Sequence, residues 1–413
     1  MDMTKSSLPL LPLFMTALLD LLGLGIIIPV LAPIFLDPAH SIFSVDSSLA
    51  ERTLLLGFLI SAYPLAQFFG APVLGGLSDR HGRKKILLLA LSGTLFGYIL
   101  FALGVIYNNI ALLFASRLLD GFTGGNIAIV QSAIADVSDA KSRSSNFGLI
   151  GIALALGFII GPYIGGKLAD PTLVSWFDYA TPFWFAAALA ALNILLVIWR
   201  FPETLRERSS EKIHPLSGFT NLKKAFLQED ARIMFLVIFL LTFGFNFFAQ
   251  FFQVYLVSKF HFTQSAIGDL FAYTGVWLVI TQGVLIRPLE ARYSPTAILR
   301  ASSLLLAICL PLLLLPNSAP ALYAIIPLIA IFQGLTVPTS TTIISQTAST
   351  ASQGEMLGIN QSIQSLGQAI PPIIAGTIVS LHMNAPIVVA ALVTLAAWYI
   401  FTYFFAGASQ SGS

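Results

Sequence analysis

Gly75-Gly76-Leu77-Ser78-Asp79-Arg80-His81-Gly82-Arg83-Lys84 is a charged turn set between two apolar runs, residues 53–77 and 84–106. Each run is long enough to cross a bilayer, whose hydrocarbon core of about 30 Å takes roughly 20 helical residues. Cations gathered in a tight turn between two spans mark the side of the membrane where Lys and Arg accumulate. The stretch is therefore the loop of a transmembrane hairpin.

The same pattern continues along the whole chain. Apolar runs lie near 8–36, 53–77, 84–106, 109–137, 143–169 and 180–201, then near 231–258, 264–286, 296–315, 319–348, 353–381 and 384–406. Residues 202–230 form the one long polar connection, rich in Glu, Lys, Arg and Ser. The expected fold is an all-α polytopic membrane protein of twelve transmembrane helices in two pseudo-symmetric six-helix halves. The halves are 1–201 and 231–413, and 202–230 joins them. Composition agrees, with 56% hydrophobic and 10% charged residues against about 25% charged in soluble domains. The first run is too long for the apolar core of a signal peptide and is read as a retained span.

With the N-terminus cytoplasmic, all of the 21 Lys and Arg residues except Arg52, Arg117, Lys167 and Lys259 fall at the cytoplasmic face. Both termini are accordingly expected there, in a cell inner or plasma membrane. A net charge of +2 and the lack of a long basic run give no reason to expect nucleic acid. Cys309 is the only cysteine, which excludes an internal disulfide and a cysteine-based metal site. No cofactor is expected, and a monomer suffices.

The halves echo one another. Gly148, Gly157, Pro162 and Gly166 in the fifth span recur at one constant offset as Gly358, Gly367, Pro372 and Gly376 in the eleventh. Leu77 and Arg80 are matched more loosely by Leu289 and Arg292. Parallel six-helix repeats with the substrate at their interface are a known transporter plan, although small residues also serve close helix packing alone.

Three stretches carry a family resemblance: Asp20-Leu21-Leu22-Gly23-Leu24-Gly25 through Pro29 and Pro33 in the first span; Gly75 to Lys84; and the run from Arg117 and Gly121 to Gly161-Pro162-Tyr163-Ile164-Gly165-Gly166. With Pro202-Glu203-Thr204 after the sixth span, they resemble the major facilitator superfamily, in its drug/proton antiporter branch and nearest the tetracycline/proton antiporters. The resemblance covers the N-terminal half closely and the C-terminal half in outline. It implies alternating access, with the acid at Asp20 and the arginine at Arg117 in coupling and binding. It also implies a gating role for the Gly75–Lys84 loop. The glycine motif of the fifth span is associated with antiporters rather than symporters, which points to export.

The residues give reasons of their own. A charge at membrane depth costs several kcal/mol, so acids there are functional candidates. Asp20 lies about 12 residues into its run and Asp120 about 11 into the fourth, roughly 18 and 16 Å deep at the helical rise. Arg117 precedes Asp120 by three positions and shares its helix face. Low dielectric favours the neutral form of a carboxylate and a nearby arginine the charged form. A conformational change that alters both would bind and release a proton. Asp20, Arg117 and Asp120 are thus the expected proton-coupling residues. Asp120 departs from the family pattern, and its alternative role is a static ion pair that locks helix packing.

For the cytoplasmic gate, Gly75 admits a close neighbour and Gly82 turns the chain. Asp79 is expected at the positive end of another helix. Arg80 and Arg83 are expected to pair with Asp136 or Asp139. In the fifth span, Gly157, Gly161, Pro162, Gly165 and Gly166 are expected to bend the helix and pack it against the other half.

The C-terminal spans hold amides in place of charges. Asn246, Gln250 and Gln253 share one helix face, as do Asn360, Gln364 and Gln368, with Gln333 adding to the supply. Asn246, Gln250, Gln253, Gln333, Asn360 and Gln364 are the expected substrate-cavity polar groups, beside an aromatic lining of Phe243, Phe247, Phe251 and Tyr255. Spans 3, 6, 9 and 12 lack interior charge and are expected to face lipid. The ninth span has no acid and the eighth no histidine, unlike tetracycline exporters, which argues against tetracycline itself. The expected function is proton-coupled export of a small drug-like or metabolite molecule. The alternative is a facilitator or importer of a nutrient or siderophore-type solute. No nucleophile triad, metal cluster or phosphate loop suggests an enzyme.

Overall fold

The computed structural model describes residues 10–36, 42–43, 47–138, 143–205, 208, 216–227, 231–346 and 353–405. The described residues are helical almost throughout. The helices are α1 (Leu10–Leu36), α2 (Leu49–His81), α3 (Arg83–Ile106), α4 (Ile110–Thr123), α5 (Asn126–Val137), α6 (Arg143–Leu168), α7 (Thr181–Arg200) and α8 (Ser217–Leu227). They continue as α9 (Arg232–Phe260), α10 (Gln264–Ile280), α11 (Ile286–Glu290), α12 (Pro295–Leu312), α13 (Ala319–Gln346), α14 (Gln353–Ala369), α15 (Pro371–Leu381) and α16 (Ala385–Ile400). Wide π-type turns follow α10 at Thr281–Leu285 and α16 at Phe401–Phe405.

These elements occupy the twelve expected spans. Ten are single helices long and apolar enough to cross a membrane. The other two are interrupted. The fourth span breaks at Gly124-Gly125 into α4 and α5. The eleventh breaks at Ile370 before Pro371-Pro372, where two prolines withhold backbone donors. The connection 202–230 holds an unexpected helix, α8, which docks Leu222 and Ala225 on the core beside α9. The rest of that connection, with Asp139 and Lys141 earlier in the chain, lies largely or wholly outside the described residues.

By packing, the chain divides into two compact units. The first comprises 1–45, 62–217 and 263–272, and the second 46–61, 218–262 and 273–413. In the first, α1 lies along α6 and α7, and α3 along α4 and α7. The core there gathers Leu13, Leu87, Leu91, Ile129, Val130 and Val197. In the second, α9 packs on α14, α15 and α16, and α12 on α13 and α16. Leu89 and Phe96 of α3, Leu192 and Trp199 of α7, Ile308 of α12, and Leu392 and Tyr399 of α16 are exposed. Those faces suit lipid.

The unit boundaries cut across chain order because short helix ends are exchanged, and the exchange follows the internal repeat. In the first unit, a Cβ on Gly268 would meet the Pro162 carbonyl, and one on Gly166 would meet the Gln264 carbonyl. In the second, Gly57 stands against the Pro372 carbonyl and Gly376 against the Thr53 carbonyl, while the Thr53 hydroxyl donates to Gly376 O at 2.8 Å. Pro162 and Pro372, like Gly166 and Gly376, are repeat partners. The matched glycines and prolines therefore make the same backbone-to-backbone contact twice.

Adding a methyl group at a helical glycine ordinarily favours the helix by up to about 1 kcal/mol, whereas overpacking a closed contact costs about 1–3 kcal/mol. Gly57→Ala and Gly268→Ala should each lower the thermal unfolding temperature of the purified protein. Gly151→Ala, whose new methyl group meets nothing within 4 Å, should leave it unchanged or slightly raised.

Candidate functional site

The charged residues at membrane depth converge in the first unit. Asp20 stands ten residues into α1, about 15 Å along the axis at the helical rise, and is half-buried. Arg117 and Asp120 are 3% and 4% exposed, and Arg117 Nη2 donates to Asp120 Oδ2 at 2.9 Å. The guanidinium carbon lies 5.1 Å from the Phe101 ring centre and 5.7 Å from that of Tyr63, within range of a cation–π attraction. Asp20, Asp120, Arg117, Tyr63 and Tyr98 lie within electrostatic reach of one another. Sequence reasoning thus brought three of the five together; the two tyrosines were missed because an aromatic in a span reads first as packing.

Small residues create the space. The Tyr98 hydroxyl occupies the position a Cβ of Gly23 would take, and Asp120 Cβ lies against Gly97. Leu19, Asp20, Leu22, Leu91, Thr94, Tyr98 and Asn193 line a cavity of roughly water-molecule size between α1, α3 and α7. Beside it, Asn193 and Thr16 exchange hydrogen bonds of 3.2 and 3.4 Å across the α1–α7 contact. Thr94 meets Thr123 at 3.3 Å.

A second polar network surrounds the Gly75–Lys84 loop. Arg83, 6% exposed, pairs through Nη1 with Asp79, donates from Nε to Asp136 Oδ2 at 3.0 Å and reaches Ser78 Oγ at 2.8 Å. Thr204 adds a 3.3 Å bond to the same Asp136 oxygen. Of the two expected cations, Arg83 alone makes these contacts; Arg80 is exposed. Glu203 caps the start of α3, accepting from the Arg83 and Lys84 amides at 2.8 and 3.2 Å. Gly82, at φ +104°, leaves room for this carboxylate where a Cβ would strike it. Glu203 had been noted only as part of a motif, because a cap donated from another element has no local sequence signal. Gly75 has nothing within 4 Å of its Cβ position.

The glycine motif faces mainly α1. Gly157, Gly161 and Gly165 close on the backbone of Leu21, Leu22, Gly25 and Ile26, while Pro162 and Gly166 meet the start of α10. The motif therefore packs chiefly within the N-terminal helices, and α6 runs unbroken through Pro162. Next to it Lys167 Nζ bonds Asp269 Oδ2 at 2.9 Å and Ser265 Oγ at 2.8 Å. Both charges are partly exposed, so the pair contributes on the order of 0–1 kcal/mol.

The expected cavity face in the second unit is largely closed on itself. Asn246 donates to Thr242 O at 2.8 Å and Gln253 to Gln250 O at 3.2 Å. Asn360 is 5% exposed with Oδ1 unpartnered, and Gln250, Gln333 and Gln364 are half-buried. Phe247, Phe251 and Tyr255 are at most 2% exposed, and the Tyr255 hydroxyl donates to Leu313 O at 3.0 Å. Three of the four expected lining aromatics are therefore core, since aromatics spaced i, i+4 along α9 lie where neighbouring helices pack. Phe243 is half-buried and tilts against Phe247.

A polytopic helical fold with charged side chains gathered at membrane depth is the architecture of a membrane transporter. The chain belongs to the Major Facilitator Superfamily, whose family model matches residues 13–284 and 234–412. It is 30% identical over 395 residues to "Multidrug resistance protein 1" of Bacillus subtilis (strain 168), covering 95% of each chain. It is 29% identical over 367 residues to "Tetracycline resistance protein, class D" of Salmonella ordonez, covering 88% of this chain and 87% of that one. A solved D-xylose-proton symporter superposes with a TM-score of 0.77 at 15% identity, covering 97% of each chain. That likeness defines the fold alone.

Removing one partner of a buried ion pair leaves the other charge uncompensated, at about 3–5 kcal/mol. Arg117→Met should therefore destabilise the protein strongly. The double variant Arg117→Met/Asp120→Leu should regain much of the loss, as read by denaturant unfolding in detergent. A double variant no more stable than Arg117→Met would show that the loss does not come from an uncompensated charge on Asp120.

Proposed function

We propose that the chain exports small drug-like molecules across a cell membrane in exchange for protons. On this reading the six-helix halves 1–201 and 231–413, joined by 202–230 and with both termini cytoplasmic, alternate the exposure of a central site. The carrying observation is the cluster of Asp20, Asp120 and Arg117 at membrane depth. A pair of acids sharing one arginine has fewer cations than it needs when both are ionised, so one of them is suited to take up a proton. Arg117 is bonded to Asp120, which leaves Asp20 as the exchanging acid.

Asp79, Arg83 and Asp136, with Gly75, Arg80 and Gly82 in the same loop, form the cytoplasmic gate. Gly157, Gly161, Pro162, Gly165 and Gly166 seal the helices that carry Asp20 against leakage. Asn246, Gln250, Gln253, Gln333, Asn360 and Gln364 supply the substrate face when the second half is open to it. Relatives matched over almost the entire length are named for multidrug and tetracycline resistance, so an importing or facilitating mode is not favoured. A single chain contains every group the cycle needs.

In proteoliposomes with an acidic lumen, a panel of lipophilic cations and tetracyclines added outside should contain compounds that drive protons out. The same compounds should drive none in Asp20→Asn reconstituted to equal amount. Substrate transport that ignores the pH gradient in the unmodified protein would overturn the exchange mechanism.

A further inference from the structure

The break in the fourth span falls beside the acid cluster. Gly124 donates from its backbone to Asp120 O, and Ala128 to Gly125 O. Between these, the ladder that would join α4 to α5 is interrupted. Packing imposes the two glycines: the Tyr63 hydroxyl fills the Cβ position of Gly124 and the Ala71 backbone that of Gly125. Gln67 Nε2 holds the Gly124 carbonyl at 3.0 Å. A new helix thus starts inside the protein, and its first residue is Asn126.

Asn126 is 0% exposed, and neither atom of its amide makes a hydrogen bond of regular geometry, although the Asp20 carboxyl is within its reach. Its side chain faces the Asp20 carboxyl, whose Oδ2 is likewise buried and unpartnered. The other titratable or charged groups around Asp20 are Asp120 and Arg117 of α4, Tyr63 of α2 and Tyr98 of α3. The spans of α6 and α7 carry no charged side chain at this depth. Like the Tyr63 and Tyr98 hydroxyls, the amide both donates and accepts without changing its own charge, and of the three it alone stands at the head of α5. Nδ2 can donate to an ionised carboxylate, and after a half-turn of the amide Oδ1 can accept from a protonated one. The N-terminal end of α5 adds a partial positive charge that favours the ionised state.

The other end of α5 carries Asp136, which accepts from Arg83 Nε and Thr204 Oγ1. One helix of 12 residues therefore spans from the proton-binding acid to the gate network. We propose that Asn126 is a positioning residue that registers the protonation state of Asp20, and that α5, set off from α4 at Gly124-Gly125, carries that state to Asp136. This rests on Asp20 being the exchanging acid.

The test compares the full-length protein with Asp20→Asn, Asn126→Ala and Asn126→Ser at acidic and neutral pH. Hydrogen–deuterium exchange of residues 131–138, corrected for intrinsic rates, reads the gate end. Substrate-driven proton flux reads coupling. In the unmodified protein, exchange at the gate end should change with pH, and in Asp20→Asn it should not. Asn126→Ala should lose that response and slow proton flux about tenfold or more, the scale of a lost hydrogen bond to a charged group. Asn126→Ser, which keeps a donor and an acceptor, should recover part of both. A pH response at residues 131–138 that persists in Asn126→Ala overturns the role of Asn126 and leaves the Asp20 reading intact. Normal proton flux in Asp20→Asn overturns that reading instead. If Asn126→Ala does not fold, Asn126→Ser decides: a weakened pH response at residues 131–138 with slowed proton flux supports the proposal, and a response and flux equal to those of the unmodified protein overturn it.

Discussion

An ionised side chain in the middle of a bilayer is stable only beside an opposite charge, a set of hydrogen bonds or water. The first unit is arranged around that requirement. Arg117 answers Asp120 directly, and aromatic faces of Phe101 and Tyr63 lie within cation–π range of the guanidinium. Asp20 is left with an open oxygen. The stability ledger of such a cluster is unfavourable to neutral at best, because desolvation rivals the Coulomb attraction. Its retention in a chain with so few charges is therefore better explained by proton exchange than by stability.

Bringing those groups together demands that helices approach more closely than ordinary side chains permit. Glycines do this along α1, α2, α4 and α6, where neighbouring backbone or the tip of a tyrosine stands in the space of a missing Cβ. The same device, used once in each half through Pro162 and Pro372, ties the start of α10 to α6 and the start of α2 to α15. Backbone contacts of this kind have few intermediate forms: a helix either sits in the groove or leaves it. That discreteness suits a protein required to hold distinct states.

Much of this was legible in the chain. Hydropathy located all twelve spans, since lipid forbids irregular backbone exposed to it. The three-residue spacing of Arg117 and Asp120 gave their ion pair, and the constant offset of the glycines and prolines gave the repeat, while the contact each copy makes came only with the packing. What escaped was decided by tertiary proximity. Gly124-Gly125 gave a visible signal for a break, but an apolar run of ordinary span length masked it, and with it the placement of Asn126. Glu203 reaches α3 from the far side of α7, a distance in sequence that no local pattern spans. The stripe Phe247, Phe251, Tyr255 has the same periodicity whether it lines a cavity or fills a core, and only its packing shows that it is core.

The two halves repeat in backbone and differ in chemistry. Ionisable groups at depth sit on α1 and α4, while the C-terminal spans offer amides and hydroxyls. An amide face can accept many ligands because its groups donate and accept without net charge, and a charged face would select among them by sign. Placing proton exchange on one half and ligand contact mainly on the other would let the coupling acid meet the same protein groups whichever ligand is carried. The shared fold leaves direction open, since a symporter has it too. What distinguishes this chain is the position of its few charges: two acids and one arginine are packed where a glycine break begins a helix that ends at the Arg83–Asp136 contact.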